Sequence, residues 1–338
     1  MKSIFALVAF AAAIWGQPAP DSRHLKNLKQ LTDGGQNAEA YWAPDGKRIV
    51  FQSTRPPHQC DQIYIMNADG SDQRMVSTGK GRTTCAYFLP DNKHIVYGST
   101  HEAGDACPAP PDRSKGYVWA VFPGFDIYLA DDRGAIKKKL TSTAGYDAEA
   151  TVNFRTGKIV YTSLSTGDIE LWRMNGDGSG KKQLTKREGY DGGAVYSRDS
   201  GKLVWRATDP SNPTAMARYR ELLKEDLTEP MKMEIFTSNA DGGNVRQLTK
   251  FGCASFAPTF TPDGRKIVFS SNKHNCDGRR FELFMMNIDG SGLEQITDLG
   301  GFASFPEFSP DGKRLVLASD HGAKSRYEFN IFLADWVD

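Results

Sequence analysis

Apolar residues along most of this chain alternate with polar ones in short runs, the rhythm of half-buried β-strands, and Gly/Asp-rich tetrapeptides cut the runs apart. One cut recurs six times: Pro44-Asp45-Gly46-Lys47, Pro90-Asp91-Asn92-Lys93, Arg155-Thr156-Gly157-Lys158, Asp199-Ser200-Gly201-Lys202, Pro262-Asp263-Gly264-Arg265 and Pro310-Asp311-Gly312-Lys313. Pro presets φ for the second position of a type I turn, Asp suits the next, and Gly or Asn takes the left-handed conformation that closes a bulged hairpin. A strand follows each turn at once: 48–51, 94–97, 159–162, 203–206, 266–270 and 314–318. Third strands are expected at 62–66, 126–130, 170–174, 234–238, 282–286 and 330–334. Asp69-Gly70, Asp177-Gly178, Asp241-Gly242 and Asp289-Gly290 then turn the chain into a fourth strand.

The repeating unit is therefore a four-stranded antiparallel meander, which cannot bury both of its faces alone. Six arranged radially share one continuous core, so the pattern predicts an all-β, six-bladed β-propeller. The sixth unit reaches the chain end after its third strand. Leu25–Thr32, whose Lys-Gln-Leu-Thr matches the fourth-strand endings at 183–185 and 247–249, is expected to complete that blade as an N-terminal strand and remove the open edges. Two stretches exceed the unit. Residues 100–124 contain Cys107-Pro108-Ala109-Pro110-Pro111 and Tyr117-Val118-Trp119. Residues 209–233, in blade four, hold a helical pattern with Tyr219, Leu222, Leu223 and Leu227 on one side.

Composition narrows the partners. Among 338 residues, 42 Lys and Arg face 41 Asp and Glu, and a net charge of +1 gives no excess to neutralise a nucleic-acid backbone. Residues 1–16 read as a signal peptide: Lys2, an apolar run from Ile4 to Trp15 too short to span a bilayer, and a small residue at Gly16 before Gln17. The mature chain, 17–338, is expected to be a monomer, periplasmic or secreted, with no membrane span after cleavage. Its five cysteines fit an oxidising compartment. Cys253 and Cys276 are expected to pair, Cys85 to pair with Cys60 or Cys107, and one cysteine to stay free.

The core at 44–51, the Ile-Tyr-Ile-Met-Asn-Ala-Asp-Gly-Ser segment at 63–71 and the repeated Gln-Leu-Thr resemble the WD-like repeat of TolB-type propellers. The resemblance runs over about residues 25–338 and implies an envelope-located scaffold that binds protein partners. The α/β domain that precedes the propeller in TolB is not expected here, so a role in the Tol–Pal system does not carry over.

Long loops fall on one face of the disc, the natural place for recognition. His58, His101, His274 and His321 lie in loops between second and third strands, and Trp119 and Tyr219 in the two insertions. Glu39, Asp147, Glu149, Asp191 and Glu307 enter the first strands and are expected to line the axial channel. The six residues from Asn67 lack the Glu of a calcium loop and read as a hairpin. The histidines lack the close spacing of a metal site, so neither a metal nor a cofactor is expected. No nucleophile elbow, HExxH pair or phosphate loop is present. The leading expectation is a scaffold binding a protein or peptide through the loop face. The alternative is an envelope hydrolase or lyase, acting on glycan or peptide, with His and acidic residues in the funnel.

Overall fold

The computed structural model describes residues 22–338; the apolar start and its cleavage point lie outside the described residues. Six four-stranded antiparallel sheets make up the ring. Their first, axis-lining strands are Gln36–Trp42, Thr83–Phe88, Asp147–Val152, Asp191–Tyr196, Ser255–Phe260 and Ala303–Phe308. Turn chemistry fixes each hairpin. In blade one Asp45 Oδ1 accepts from Lys47 N (2.9 Å) and Gly46 N donates to Ala43 O (2.9 Å), with Gly46 at φ 69°. Asn92 holds the same left-handed position at φ 58° in blade two.

Leu25–Gln30 pairs antiparallel with Asn330–Trp336, from Leu25 opposite Trp336 to Gln30 opposite Phe332. Chain start and chain end thus share one sheet. A repeated hydroxyl bond ties every outer strand back to the third strand. Thr297 Oγ1 accepts from Leu283 N (2.8 Å) and donates to Glu282 (2.6 Å). Ser77, Thr141 and Thr249 do the same to Ile63 and Gln62, Ile127 and Asp126, and Ile235 and Glu234. Thr32 fills this role in blade six, accepting from Ile331 N (2.9 Å) and donating to Asn330 (3.0 Å). The Thr of Gln-Leu-Thr is therefore a lock that satisfies a buried N–H and a buried side chain together.

Between blades, apolar faces interdigitate. Ile49 and Phe51 of blade one pack with Val316, Ala318 and Ile331 of blade six, all buried. The insertions join each other: Trp119–Ala120 pairs with Leu227–Thr228, and Val121 N donates to Asp226 O (2.8 Å). One helix, α1 (Pro213–Leu223), starts at Asn212, whose side chain caps Ala215 N, with Pro at the first turn. It buries Ala215, Met216, Tyr219 and Leu222. No helix among the described residues is long and apolar enough to cross a membrane.

Cys253 pairs with Cys276 (Cα–Cα 4.6 Å), the expected bond within blade five. The expectation for Cys85 is corrected: Cys60 pairs with Cys107 (Cα–Cα 5.9 Å), and Cys85 is buried and free. Cys60 and Cys107 sit in loops, whereas Cys85 lies inside the axis-lining strand of blade two and faces the channel.

Two outcomes follow. Thr32→Val should lower stability in urea by about 1–3 kcal/mol, because it strands the Ile331 N–H and takes one of two donors from Asn330 Oδ1; an unchanged midpoint and slope would count against the lock. Titrated after denaturation without reductant, the protein should show one thiol, and five after reduction.

Candidate functional site

Every first strand breaks register once, between Ala38 and Tyr41 in blade one and at the equivalent place in the other five. The residue at each break has positive φ: Glu39 (50°), Cys85 (48°), Glu149 (55°), Gly193 (61°), Ala257 (49°) and Phe305 (54°). These are β-bulges, and five of the six place an L side chain in a conformation costing roughly 1–2 kcal/mol. All six residues line one constriction on the axis. The bulge turns this position toward the centre in every blade, so two glutamates, a cysteine, a glycine, an alanine and a phenylalanine form the neck.

Blades three and four fill the neck with a polar cluster. Glu149 accepts from Tyr190 Oη (2.8 Å), from Thr162 Oγ1 (2.7 Å) and from Arg206, and Arg206 Nη2 also donates to Tyr190 Oη (2.7 Å). Two glycines make room. A Cβ on Gly192 would lie 2.5 Å from Glu149 Oε2 and from Tyr190 Oη, and one on Gly193 only 1.9 Å from Arg206 Nη1. Burial opposes the Arg206 charge, but Glu149 and Tyr190 outweigh it and hold the guanidinium protonated. Cys85 is no activated nucleophile: burial, with Glu39 and Glu149 nearby, pushes its thiol well up. Space in the neck is about 30 Å³, enough for about one water.

Below the neck, on the side of the short first turns, the channel widens into a vestibule of about 260 Å³. Aromatic side chains wall it (Trp42, Phe154, Tyr196, Phe260, Phe308), Arg155 and Arg198 stand at its rim, and Glu307 lies between it and the neck. Above the neck, the paired insertions bring Trp119 across: its ring sits 5.2 Å from the Arg206 guanidinium and edge-on to Phe256 at 6.2 Å. Phe302 and Phe305 continue this aromatic layer from Phe256. On the loop side the paired insertions lean over the neck through Trp119, and on the turn side lies the vestibule.

The residues singled out in the sequence divide accordingly. Glu39, Glu149 and Glu307 reach the channel. Asp191 does not: it is buried beneath the cluster, accepting from Trp205 Nε1 (2.7 Å) and from Arg187 (2.5 Å). Asp147 is likewise buried, against Thr143. Trp119 caps Arg206, while Tyr219 anchors α1, its hydroxyl meeting Asp168 and accepting from Ile169 N (3.2 Å). The histidines stay within their own blades and do not converge. His101 lies against Tyr128 (4.4 Å), His274 against Gln295 (2.7 Å), His321 near Phe332 (6.2 Å), and His58 beside Gly79. Among the described residues no three His, Cys, Asp or Glu side chains are grouped to hold a metal. Arg206 and Tyr190 escaped the sequence reading, although Gly192-Gly193 inside a strand pattern was a signal of close approach.

Burial pushes Glu39 up to about 7, with Cys85 and Arg206 pulling the other way, and pushes Glu307 up to about 7. Asp191, also by burial, rises to about 6 and Glu170 to about 8. Each folded carboxyl keeps a proton that the unfolded chain releases near its ordinary value. Their stabilisation is complete below that value and is lost as pH rises through the folded one. The melting temperature should therefore fall between about pH 5.5 and pH 8, and Glu39→Gln with Glu307→Gln should flatten the slope. A melting temperature rising over that interval contradicts the assignment.

The comparisons with known proteins agree with the ring. A family model described as the TolB beta propeller domain matches residues 227–331. No curated protein matches the sequence significantly. Among solved structures, a putative TolB from Agrobacterium tumefaciens superposes with a TM-score of 0.62 at 16% identity, covering 94% of this chain and 100% of that one. TolB from Acinetobacter baumannii gives 0.58 at 19% identity, over 89% of this chain and 64% of that one. An oligogalacturonate lyase in complex with manganese gives 0.54 at 13% identity, over 94% and 96%. At such identities the likeness is one of fold, and fold alone fixes no activity. In its repeats and its six sheets this chain is a six-bladed β-propeller, similar in fold to TolB, with residues 227–331 matching the TolB propeller domain.

Proposed function

We propose that the chain is an exported, monomeric scaffold that binds a segment of a protein or peptide partner at the axis of its propeller. Two disulfides and the TolB relatives support export. The observation that carries the binding reading is the vestibule of about 260 Å³, aromatic-walled and framed by the first turns of five blades. Its size suits one or two side chains of an inserted segment, and aromatic walls make good anchors. The sequence placed recognition on the long-loop face. The geometry favours the opposite mouth, because the loops there fold onto one another and onto Arg206 through Trp119.

An envelope enzyme is the second reading. It draws on Glu39, whose Oε2 has no hydrogen-bond partner beside Arg206, and on the lyase among the structural neighbours. The neck that holds these groups admits about one water, too little for a sugar ring or a peptide bond, so binding is preferred.

Peptides selected from a random library on the mature chain should lose at least tenfold in affinity on Val195→Trp, which fills the vestibule. They should be indifferent to Tyr117→Ala on the exposed loop face. Selection that yields no binders, or binders sensitive only to Tyr117→Ala, contradicts the proposal.

A further inference from the structure

We infer that the segment received by the vestibule is acidic, with a carboxylate next to an aromatic or large apolar side chain; this rests on the vestibule being the partner site. The first turns of the six blades surround the open mouth. Over 44–48, 90–94, 155–158, 198–202, 262–266 and 310–314 they carry eleven Lys and Arg against five Asp. The whole chain has a net charge of only +1, so this basic collar is offset by acids elsewhere and the charge is unevenly spread along the axis.

The five acids of the collar are also turned inward. Asp45, Asp91, Asp199, Asp263 and Asp311 each accept a backbone N–H of their own turn, at 2.9–3.1 Å, as turn-forming residues do. Among the cations Arg48 is paired with Asp132, Arg265 lies 3.9 Å from Asp263 and Arg314 lies over Trp42, while the others have no ion pair among the described residues. Lys47, Lys202 and Lys313 are exposed, and so are Arg155 and Arg198, which line the vestibule itself. Arg198 reaches from blade four to blade six and donates to Ser309 O (2.6 Å), and Arg155 has no ion pair among the described residues.

A carboxylate arriving at the rim meets two guanidinium groups whose hydrogen-bonding capacity is largely unspent, and it replaces at most one neutral bond with charge-assisted ones. Immediately inside, Phe154, Tyr196 and Phe308 offer apolar walls, so an adjacent ring is desolvated as the charge is paired. Glu307 lies deeper, toward the neck, and sets the order: anion at the rim, ring in the vestibule. The recess argues for a chain segment over a flat anionic surface, because a bilayer cannot put a ring past the rim while meeting all six turns.

The test uses three synthetic peptides on the full mature chain, followed by fluorescence anisotropy: one with Asp and Glu flanking Trp, one with Lys at those positions and one with Gln. The acidic peptide should bind at least tenfold tighter than the Lys peptide and weaken as salt rises. Arg155→Glu combined with Arg198→Glu should cost at least tenfold, while Lys186→Glu on the opposite face should cost nothing. Unaltered thermal melts confirm that the variants fold. Equal affinity for the acidic and Lys peptides, or indifference to the Arg pair, overturns the inference. So does Arg-dependent binding to phosphatidylglycerol vesicles without any preference among the peptides. Gln or Lys peptides that bind and are lost on Val195→Trp would overturn the acidic preference but leave the vestibule as partner site. If no peptide responds to Val195→Trp, both fall.

Discussion

One backbone device shapes the centre of this molecule: the left-handed bulge in the first strand of every blade. A regular strand would point alternate side chains into the two neighbouring blade interfaces. The extra residue instead turns one position from each blade, a side chain in five of them, toward the axis. Five of the six are not glycine, so the ring carries several kcal/mol of backbone strain. The interlocked cores and the hydroxyl locks on the outer strands hold that strain in place. The neck separates the loop side, where Trp119 leans over Arg206, from the vestibule on the turn side.

Strain at the axis also explains why the polar cluster is built as it is. Glu149 is placed by its bulge, and Tyr190 and Arg206 come from the next blade to meet it. A side chain at Gly192 or Gly193 would block that meeting, since an added Cβ lies 2.5 Å from Glu149 and Tyr190 or 1.9 Å from Arg206. A buried ion pair of this kind contributes little net stability, since desolvation offsets the Coulombic gain. Its role here is to plug the neck with a fixed charge pattern, leaving room for about one water.

Much of the fold was legible because turn chemistry is local. Pro-Asp-Gly-Lys marks a hairpin whatever lies around it, and Lys29-Gln30-Leu31-Thr32 announced its blade by matching Gln247-Leu248-Thr249. The site was less legible. Glu39, Cys85, Ala257 and Phe305 carry no signature of a left-handed backbone, because the surrounding sheet imposes it. Arg206 reads as an ordinary strand residue until the glycines opposite it are known to face it. The pairing of Cys60 with Cys107 depends on how a long insertion folds back, which spacing does not encode. The basic collar was present in the sequence all along, hidden by a net charge near zero and visible only once six distant turns are placed on one rim.

Hydrogen exchange of the protein with and without the acidic aromatic peptide shows which mouth receives the partner. Binding at the turn-side mouth adds protection at the strand ends and turns that frame the vestibule, 152–155, 195–198 and 307–310. Protection confined to the insertions at 100–124 and 209–233, with the vestibule frame unchanged, would contradict it.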